Sequence, residues 1–152
     1  MPQYLIRHAK AGSRHDFDGP DRDRPLTAPG RLQAAAIADH LNRQPIVRLV
    51  SSPYVRCRQT IEPLASQLGL PVEEAGALAE GGSFTAVVDL LASLPDQVVL
   101  CSHGDVIPEV IAALERRGTV IDGDPDWRKG AMWIIERDGD KLARAHAVAP
   151  PG

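Results

Sequence analysis

Two arginines and two histidines stand at or just beyond the ends of three apolar runs of this sequence. Arg7 and His8 end the first run, Arg56 lies one helical turn beyond the second, and His103 follows the third. A guanidinium can donate two parallel hydrogen bonds to a phosphate, and a neutral imidazole can act as a nucleophile, an acid or a base. The set therefore indicates phosphoryl transfer, which depends mostly on positioning and electrostatics.

The apolar runs have the length and continuity of strands buried on both faces of a parallel sheet. They end near residues 6, 50 and 101. In open α/β sheets, functional groups lie just beyond the carboxyl ends of the strands. A parallel sheet would bring all three ends to one edge, so we expect the four side chains to converge there.

Helical and extended patterns alternate along the rest of the chain. Thr27 is predicted to cap a helix that runs to about Arg43, and Ser51-Ser52-Pro53 to open a second helix that is kinked at Pro63 and ends at Gly69. A third helix is predicted after Ser83 and a fourth after Asp105, with a short strand at 72–75, a loop at 118–129 and a hairpin of 131–135 with 141–148. The pattern predicts the α/β class: a three-layer α/β/α sandwich with a mainly parallel sheet and a C-terminal hairpin.

The composition limits the class of protein. A chain of 152 residues suits one domain, and no apolar run approaches the ~20 residues that span a bilayer. A formal charge of −3 argues against a nucleic acid polymer or an anionic membrane as partner. The first strand starts at once, which leaves no room for a signal peptide. Cys57 and Cys101 lack metal-ligand spacing, so we expect reduced thiols in a cytoplasmic protein without a metal site.

Three blocks of the sequence, Arg7–Ala9, Ser51–Thr60 and Ser102–Gly104, resemble the signature blocks of the histidine phosphatase superfamily, which includes the cofactor-dependent phosphoglycerate mutases. The resemblance extends over the whole chain. The segment Asp23–Thr27, with Gly30 and Gln33 after it, is similar to the small SixA-type phosphohistidine phosphatases. The loop 7–14 resembles the histidine-phosphatase domain attached to some mycobacterial nudix hydrolases of oxidised nucleotides.

The resemblance implies a phosphoglycerate mutase-like fold in a single histidine phosphatase domain over residues 1–152. It implies that His8 is the nucleophile and becomes a phosphohistidine. Arg7, Arg56 and His103 would bind the phosphoryl oxygens, with His103 also part of the catalytic set. No cofactor and no metal are implied.

The general acid has two candidates. The family usually supplies a glutamate between the second and third blocks, just before a helix, and Glu80 fits that place. Another branch uses an aspartate directly after the second histidine, where this chain has Gly104 followed by Asp105. Asp105 would alternatively cap the helix that follows it. Glu80 is the favoured acid.

The expected function is that of a metal-independent phosphatase acting through phosphohistidine on His8. Its substrate would be a phosphorylated small molecule or a phosphohistidine protein, so the bond hydrolysed is a phosphate monoester or a phosphoramidate. The alternative is a nucleoside-diphosphate (oxidised nucleotide) phosphatase. A mutase and a catalytically silent module that binds phospholigands rank below both.

Overall fold

The computed structural model describes residues 1–151. Over this range, the chain forms seven strands and four α-helices, with 3-10 turns at Asp21–Asp23 and Gly76–Leu78. The strands are β1 (Pro2–Arg7), β2 (Arg48–Ser51), β3 (Val72–Glu74), β4 (Val98–Ser102), β5 (Val120–Asp122), β6 (Met132–Asp138) and β7 (Lys141–Val148). The helices are α1 (Ala28–Leu41), α2 (Val55–Leu68), α3 (Phe84–Ser93) and α4 (Ile107–Arg116).

All the strands belong to one sheet, whose order is β3-β2-β4-β1-β6-β7-β5. The pairs β2–β3, β2–β4, β1–β4 and β5–β7 are parallel, whereas β6 is antiparallel to both of its neighbours. The expected mainly parallel sheet is therefore confirmed. So is the terminal hairpin, which turns at Gly139 with a φ of 62°.

The core has two halves, one on each face of the sheet. Helices α1 and α2 cover one face, where Ile37 and Ile61 pack with Val99 of β4. Helices α3 and α4 cover the other face, where Leu91 and Val110 pack with residues of β1 and β4. Fully burying such a side chain stabilises the fold by ~1.5–3 kcal/mol. The three-layer sandwich predicted from the alternating pattern is the observed architecture.

The helix ends follow their local sequence closely. Thr27 caps α1 by accepting a hydrogen bond from the Gly30 amide at 3.1 Å, and Gly69 ends α2 in the left-handed region with a φ of 67°. Helix α2 begins at Val55, later than predicted, because Ser51 still belongs to β2. Pro63 lies inside α2, which continues to Leu68.

The segment 118–129, predicted as a loop, contains β5. This strand has three residues and pairs only with β7 among residues 1–151, at the outer edge of the sheet. Val120 is 48% exposed. A three-residue strand at the sheet edge does not need the long apolar run that marks a buried strand in a sequence, so the sequence pattern did not reveal it. None of the helices over residues 1–151 is long and apolar enough to cross a membrane.

Candidate active site

The carboxyl ends of β1, β4 and β2 lie side by side, as the sequence predicted. Arg7 is paired with Ser102 in the β1–β4 register, and Ser51 with Cys101 in the β2–β4 register. The pairing continues past the strands, because the His8 amide donates to the Ser102 carbonyl at 3.1 Å. This edge brings the two histidines together, with 5.4 Å between the ring centroids of His8 and His103.

The His8 ring is held in one tautomer. Its Nδ1 lies 2.8 Å from the Ala9 carbonyl oxygen, and because a carbonyl only accepts hydrogen bonds, Nδ1 must carry the proton. In the neutral ring, the lone pair is therefore on Nε2. The main chain that follows is fixed too, since the Ala9 amide donates to Thr60 Oγ1 at 2.9 Å. His8 is thus a buried imidazole with a defined nucleophilic nitrogen.

The surroundings of His8 favour its neutral form. The pKa of His8 is lowered from 6.5 to about 3, first by burial and then by the nearby His103, Arg56 and Arg7, against the opposing effect of the bond to Ala9. Only 6% of the residue is exposed. A nucleophilic imidazole must be unprotonated, and these neighbours keep His8 in that form throughout the neutral pH range.

The depressed pKa predicts a change in stability with pH. Between pH 6.5 and about 3, the unfolded chain binds a proton at His8 that the folded chain does not, so stability is lost as the pH falls through this window. The cost attributable to His8 at about pH 4.5 is roughly 2–3 kcal/mol relative to about pH 7. Urea unfolding at both pH values should show that the free energy of unfolding falls less from about pH 7 to about pH 4.5 for His8→Asn than for the wild type. Equal losses would mean that His8 is not desolvated as described.

His103 lies under the site with one ring nitrogen satisfied and the other free. Its Nε2 is 2.8 Å from Ser52 Oγ and 3.5 Å from the sulfur of Cys57. The ring is almost completely buried and Tyr54 packs against it edge-on, with 4.7 Å between centroids. Nδ1 is buried without a hydrogen-bond partner among residues 1–151. Burying an unpaired polar atom is costly, and a ligand oxygen that reached Nδ1 would remove that cost.

Arg7 reaches the site from the last position of β1. Its Nη1 donates to the Trp127 carbonyl at 2.7 Å, and its Nε is buried without a partner among the described residues. The guanidinium lies against Gly104, where a Cβ would come within 2.5 Å of its central carbon. Glycine at 104 thus keeps open the space that the Arg7 side chain occupies.

Arg56 is completely buried and already engaged. Its Nη1 donates to the Asp21 carbonyl oxygen at 2.9 Å, and its Nη2 donates to Asp21 Oδ2 at 3.1 Å. Burial raises the pKa of Asp21, but hydrogen bonds from Arg24 and Arg56 and the charges of both outweigh it, so the net pKa lies below its ordinary value. The Tyr54 ring packs against the Arg56 guanidinium, with 4.8 Å between the guanidinium carbon and the ring centroid.

Glu80 and Asp105 both lie at this edge but differ in their contacts. Glu80 Oε2 is 3.5 Å from Nη2 of Arg56, and Arg14 donates to both of its oxygens at 3.1 and 3.2 Å. Asp105 instead accepts a hydrogen bond from the Gly81 amide at 2.8 Å. The expectation that Asp105 caps α4 is wrong: that helix starts after Val106 without a side-chain cap. The Asp105 carboxylate instead fixes the segment that carries Glu80.

The polar loop between β1 and α1 supplies contacts that the sequence did not reveal. Asp21 and Arg14 reach Arg56 and Glu80 from this loop, and Arg24 Nε donates to Asp21 at 2.9 Å. The loop is pinned to α1, because the Thr27 amide donates to the Lys10 carbonyl at 3.0 Å. A Cβ at Gly30 would lie 1.9 Å from that same oxygen. In the sequence, two features pointed to a functional loop: its length and the resemblance of the segment Asp23–Thr27 to the SixA-type phosphatases.

Comparison with known proteins identifies relatives of this chain. The family model of the histidine phosphatase superfamily (branch 1) matches residues 3–85. The chain is 34% identical, over 97% of its length, to an 8-oxo-(d)GTP phosphatase of Mycolicibacterium smegmatis, but it spans only 48% of that relative. It is 27% identical to a phosphohistidine phosphatase SixA homolog of Haemophilus influenzae, with 93% of this chain and 91% of the relative covered.

The fold is shared with solved structures. The protein histidine phosphatase SixA complexed with tungstate superposes with a TM-score of 0.76 at 24% identity, over 98% of this chain and 95% of the other. This likeness shows that the sheet and its flanking helices have the phosphoglycerate mutase-like arrangement. The family match over more than half of the sequence and the relative that is 34% identical establish that the chain belongs to the histidine phosphatase superfamily.

Proposed function

We propose that this protein is a metal-independent phosphatase that forms a phosphohistidine on His8. The observation that carries the proposal is the state of His8: a neutral imidazole whose Nδ1 proton is donated to Ala9, beside His103 and two guanidinium groups. A histidine buried for packing alone would have no reason to be surrounded by cations. A histidine that accepts a dianionic phosphoryl group needs them.

The reaction follows from these positions in two steps. Nε2 of His8 attacks phosphorus, the N–P bond forms, and the bond to the leaving oxygen or nitrogen breaks with its electron pair. Water then attacks the phosphohistidine, which releases phosphate and restores the imidazole. Arg7, Arg56 and Nδ1 of His103 bind the phosphoryl oxygens as charge spreads over them. Glu80 protonates the leaving group and then takes the proton of the attacking water.

The substrate we propose is an accessible phosphate, either a monoester or the phosphoramidate of a phosphohistidine protein, in the cytoplasm. The whole-length relative named as a SixA homolog supports this class. A nucleoside diphosphate is the alternative, supported by the relative named as an 8-oxo-(d)GTP phosphatase. A mutase is disfavoured because the chain lacks the long insertions that enclose a mutase pocket. A silent binding module is disfavoured because both histidines and both arginines are present.

The test is turnover of a chromogenic aryl phosphate in the presence of a chelator. We expect activity to survive the chelator and an acid-labile, base-stable phosphoenzyme to be trapped at short times. A screen of phosphohistidine protein, nucleoside diphosphates and phosphosugars at equal concentration then ranks the substrate classes. Stoichiometric binding of phosphate compounds without turnover would instead establish a binding module.

Loss of either guanidinium should lower the catalytic rate more than it raises the Michaelis constant. Arg7→Ala and Arg56→Ala are expected to reduce kcat by ~10²–10³-fold, because each removes donors aimed at oxygens that gain charge in the transition state. Steady-state kinetics on an aryl phosphate would measure both parameters. An effect confined to the Michaelis constant would mean uniform binding.

Arg58→Ala is the matched control for Arg56. It lies two residues farther along the same helix, and its guanidinium pairs with Glu74 at 2.7 Å instead of entering the site. We expect its kinetics to match the wild type. Because removing one partner of a buried ion pair costs ~3–5 kcal/mol, Arg56→Ala must first be shown to be folded by circular dichroism.

A further inference from the structure

A cationic cleft of about 440 Å³ adjoins Arg7, the residue that precedes the proposed nucleophile. It is lined by Arg7, Lys10, Gln33, Arg128, Lys129, Pro150 and Pro151. Its two lysines come from different segments, and each is tied to the nucleophile's own main chain. Lys10 lies two residues after His8, and Lys129 precedes Gly130, whose amide lies 3.1 Å from the carbonyl oxygens of both Arg7 and His8. The cleft is therefore built at a fixed position relative to His8.

Within residues 1–151, the two lysines among the cations that line this cleft have no acidic partner. Arg128 pairs with Asp126 at 2.5 Å, but over residues 1–151 neither Lys10 nor Lys129 has a carboxylate within ion-pair distance. Burial lowers the pKa of Lys129, and the charges of Arg7, Arg24, Arg56 and Lys10 lower it further. Like charges held together in this way gain most from an anion that binds between them.

We propose, resting on the phosphatase mechanism above, that this cleft binds a second phosphate bonded directly to the transferred one, which favours the diphosphate alternative named above over the monoester and the phosphoramidate. Arg7 belongs both to the site around His8 and to the cleft. Because two phosphates of a diphosphate share one bridging oxygen, a single guanidinium can contact both. The leaving imidazole of a phosphohistidine has no anionic group for Lys10 and Lys129 to bind. The cleft thus distinguishes between the two substrate classes.

The transfer step balances for such a substrate. The Nε2 lone pair of His8 forms the bond to the terminal phosphorus, and the bridging oxygen departs with its electron pair as part of an organic monophosphate. Lys10 and Lys129 stabilise the charge that the departing monophosphate gains. Water then releases inorganic phosphate from His8, so the products are one monophosphate and one phosphate.

The first test measures binding of two probes, inorganic pyrophosphate and inorganic phosphate, by calorimetry with a chelator present. The variants are the double substitution Lys10→Gln with Lys129→Gln, and Lys141→Gln as control, because Lys141 is an exposed lysine at the start of β7. We expect the wild type and the control to bind pyrophosphate at least tenfold more tightly than phosphate. The double variant should lose most of this preference. An equal preference in all three proteins would overturn the proposal.

The second test separates this inference from the proposed function. Turnover of a nucleoside diphosphate and of an aryl phosphate is compared for the same three proteins, and we expect kcat/KM of the double variant to fall at least tenfold more on the diphosphate. Equal losses on both substrates would overturn the second phosphate site while leaving the phosphatase intact. Absence of turnover on every substrate in the wild type would overturn the phosphatase, and the pyrophosphate binding data would still decide on the cleft.

Discussion

The His8→Ala variant is expected to lose turnover altogether, by at least ~10⁴-fold in kcat, together with any phosphoenzyme that acid hydrolyses and base preserves. In the proposed mechanism the imidazole provides the nitrogen that attacks phosphorus, and no second nucleophile lies at the same place within residues 1–151. His103 is the nearest other imidazole, but its Nε2 faces Ser52 and Cys57 beneath the site. Rapid quench with labelled substrate would measure the phosphoenzyme, and an aryl phosphate assay the turnover.

His40→Ala provides the control for this experiment. His40 is exposed in the last turn of α1, so its removal tests whether loss of any histidine lowers activity. It should retain wild-type turnover and phosphoenzyme yield. Normal activity in His8→Ala would remove the mechanism, because no other histidine of this chain stands at the end of β1.

The Glu80→Gln variant should slow hydrolysis in proportion to the basicity of the leaving group. An alkyl phosphate needs a proton to depart and is expected to slow by roughly 10²–10⁴-fold, the usual range for general acid catalysis. An activated aryl phosphate departs without a proton and should slow much less. Rates for a series of phosphate esters, plotted against the pKa of the leaving alcohol, would measure this dependence directly.

Asp105 provides the decisive comparison. Asp105→Asn keeps an oxygen that can accept from the Gly81 amide, so it should preserve the position of Glu80 and show no leaving-group dependence. Asp105→Ala removes that anchor and should slow all esters by a similar factor. If the steep dependence appeared in Asp105→Asn and not in Glu80→Gln, the roles of the two carboxylates would have to be exchanged.

The part of this site that could be predicted from the sequence is the part carried by regular structure. Continuous apolar runs identify β1, β2 and β4, and parallel pairing then forces Arg7, His8 and His103 to one edge. Arg56 was expected one turn after Ser52 and is the second residue of α2, so its place at this edge was predicted although the start of the helix was not. Each of these positions depends on periodicity and strand direction, both of which are visible in one sequence.

The contacts that could not be predicted come from segments without periodicity. Nothing in the composition of residues 10–25 indicates that Asp21 would bind Arg56, or that Arg14 would hold Glu80, because such pairs depend on the path of a loop. Asp105 shows the same limit: a carboxylate before a helix is a good cap, yet here it crosses to Gly81. The three-residue edge strand β5 lacked the buried apolar pattern for a similar reason.

The pairing of Arg56 with Asp21 has a consequence for which anions the site accepts. The Asp21 carboxylate holds Nη2 of Arg56 and the Asp21 carbonyl oxygen holds Nη1, so Asp21 would compete with any ligand for these donors. A singly charged anion offers Arg56 little more than Asp21 does and gains little by replacing or sharing it. A phosphoryl dianion, with more charge and three oxygens, gains more. We therefore expect the proposed site to favour phosphoryl dianions over the abundant monovalent anions of its surroundings before any chemistry begins.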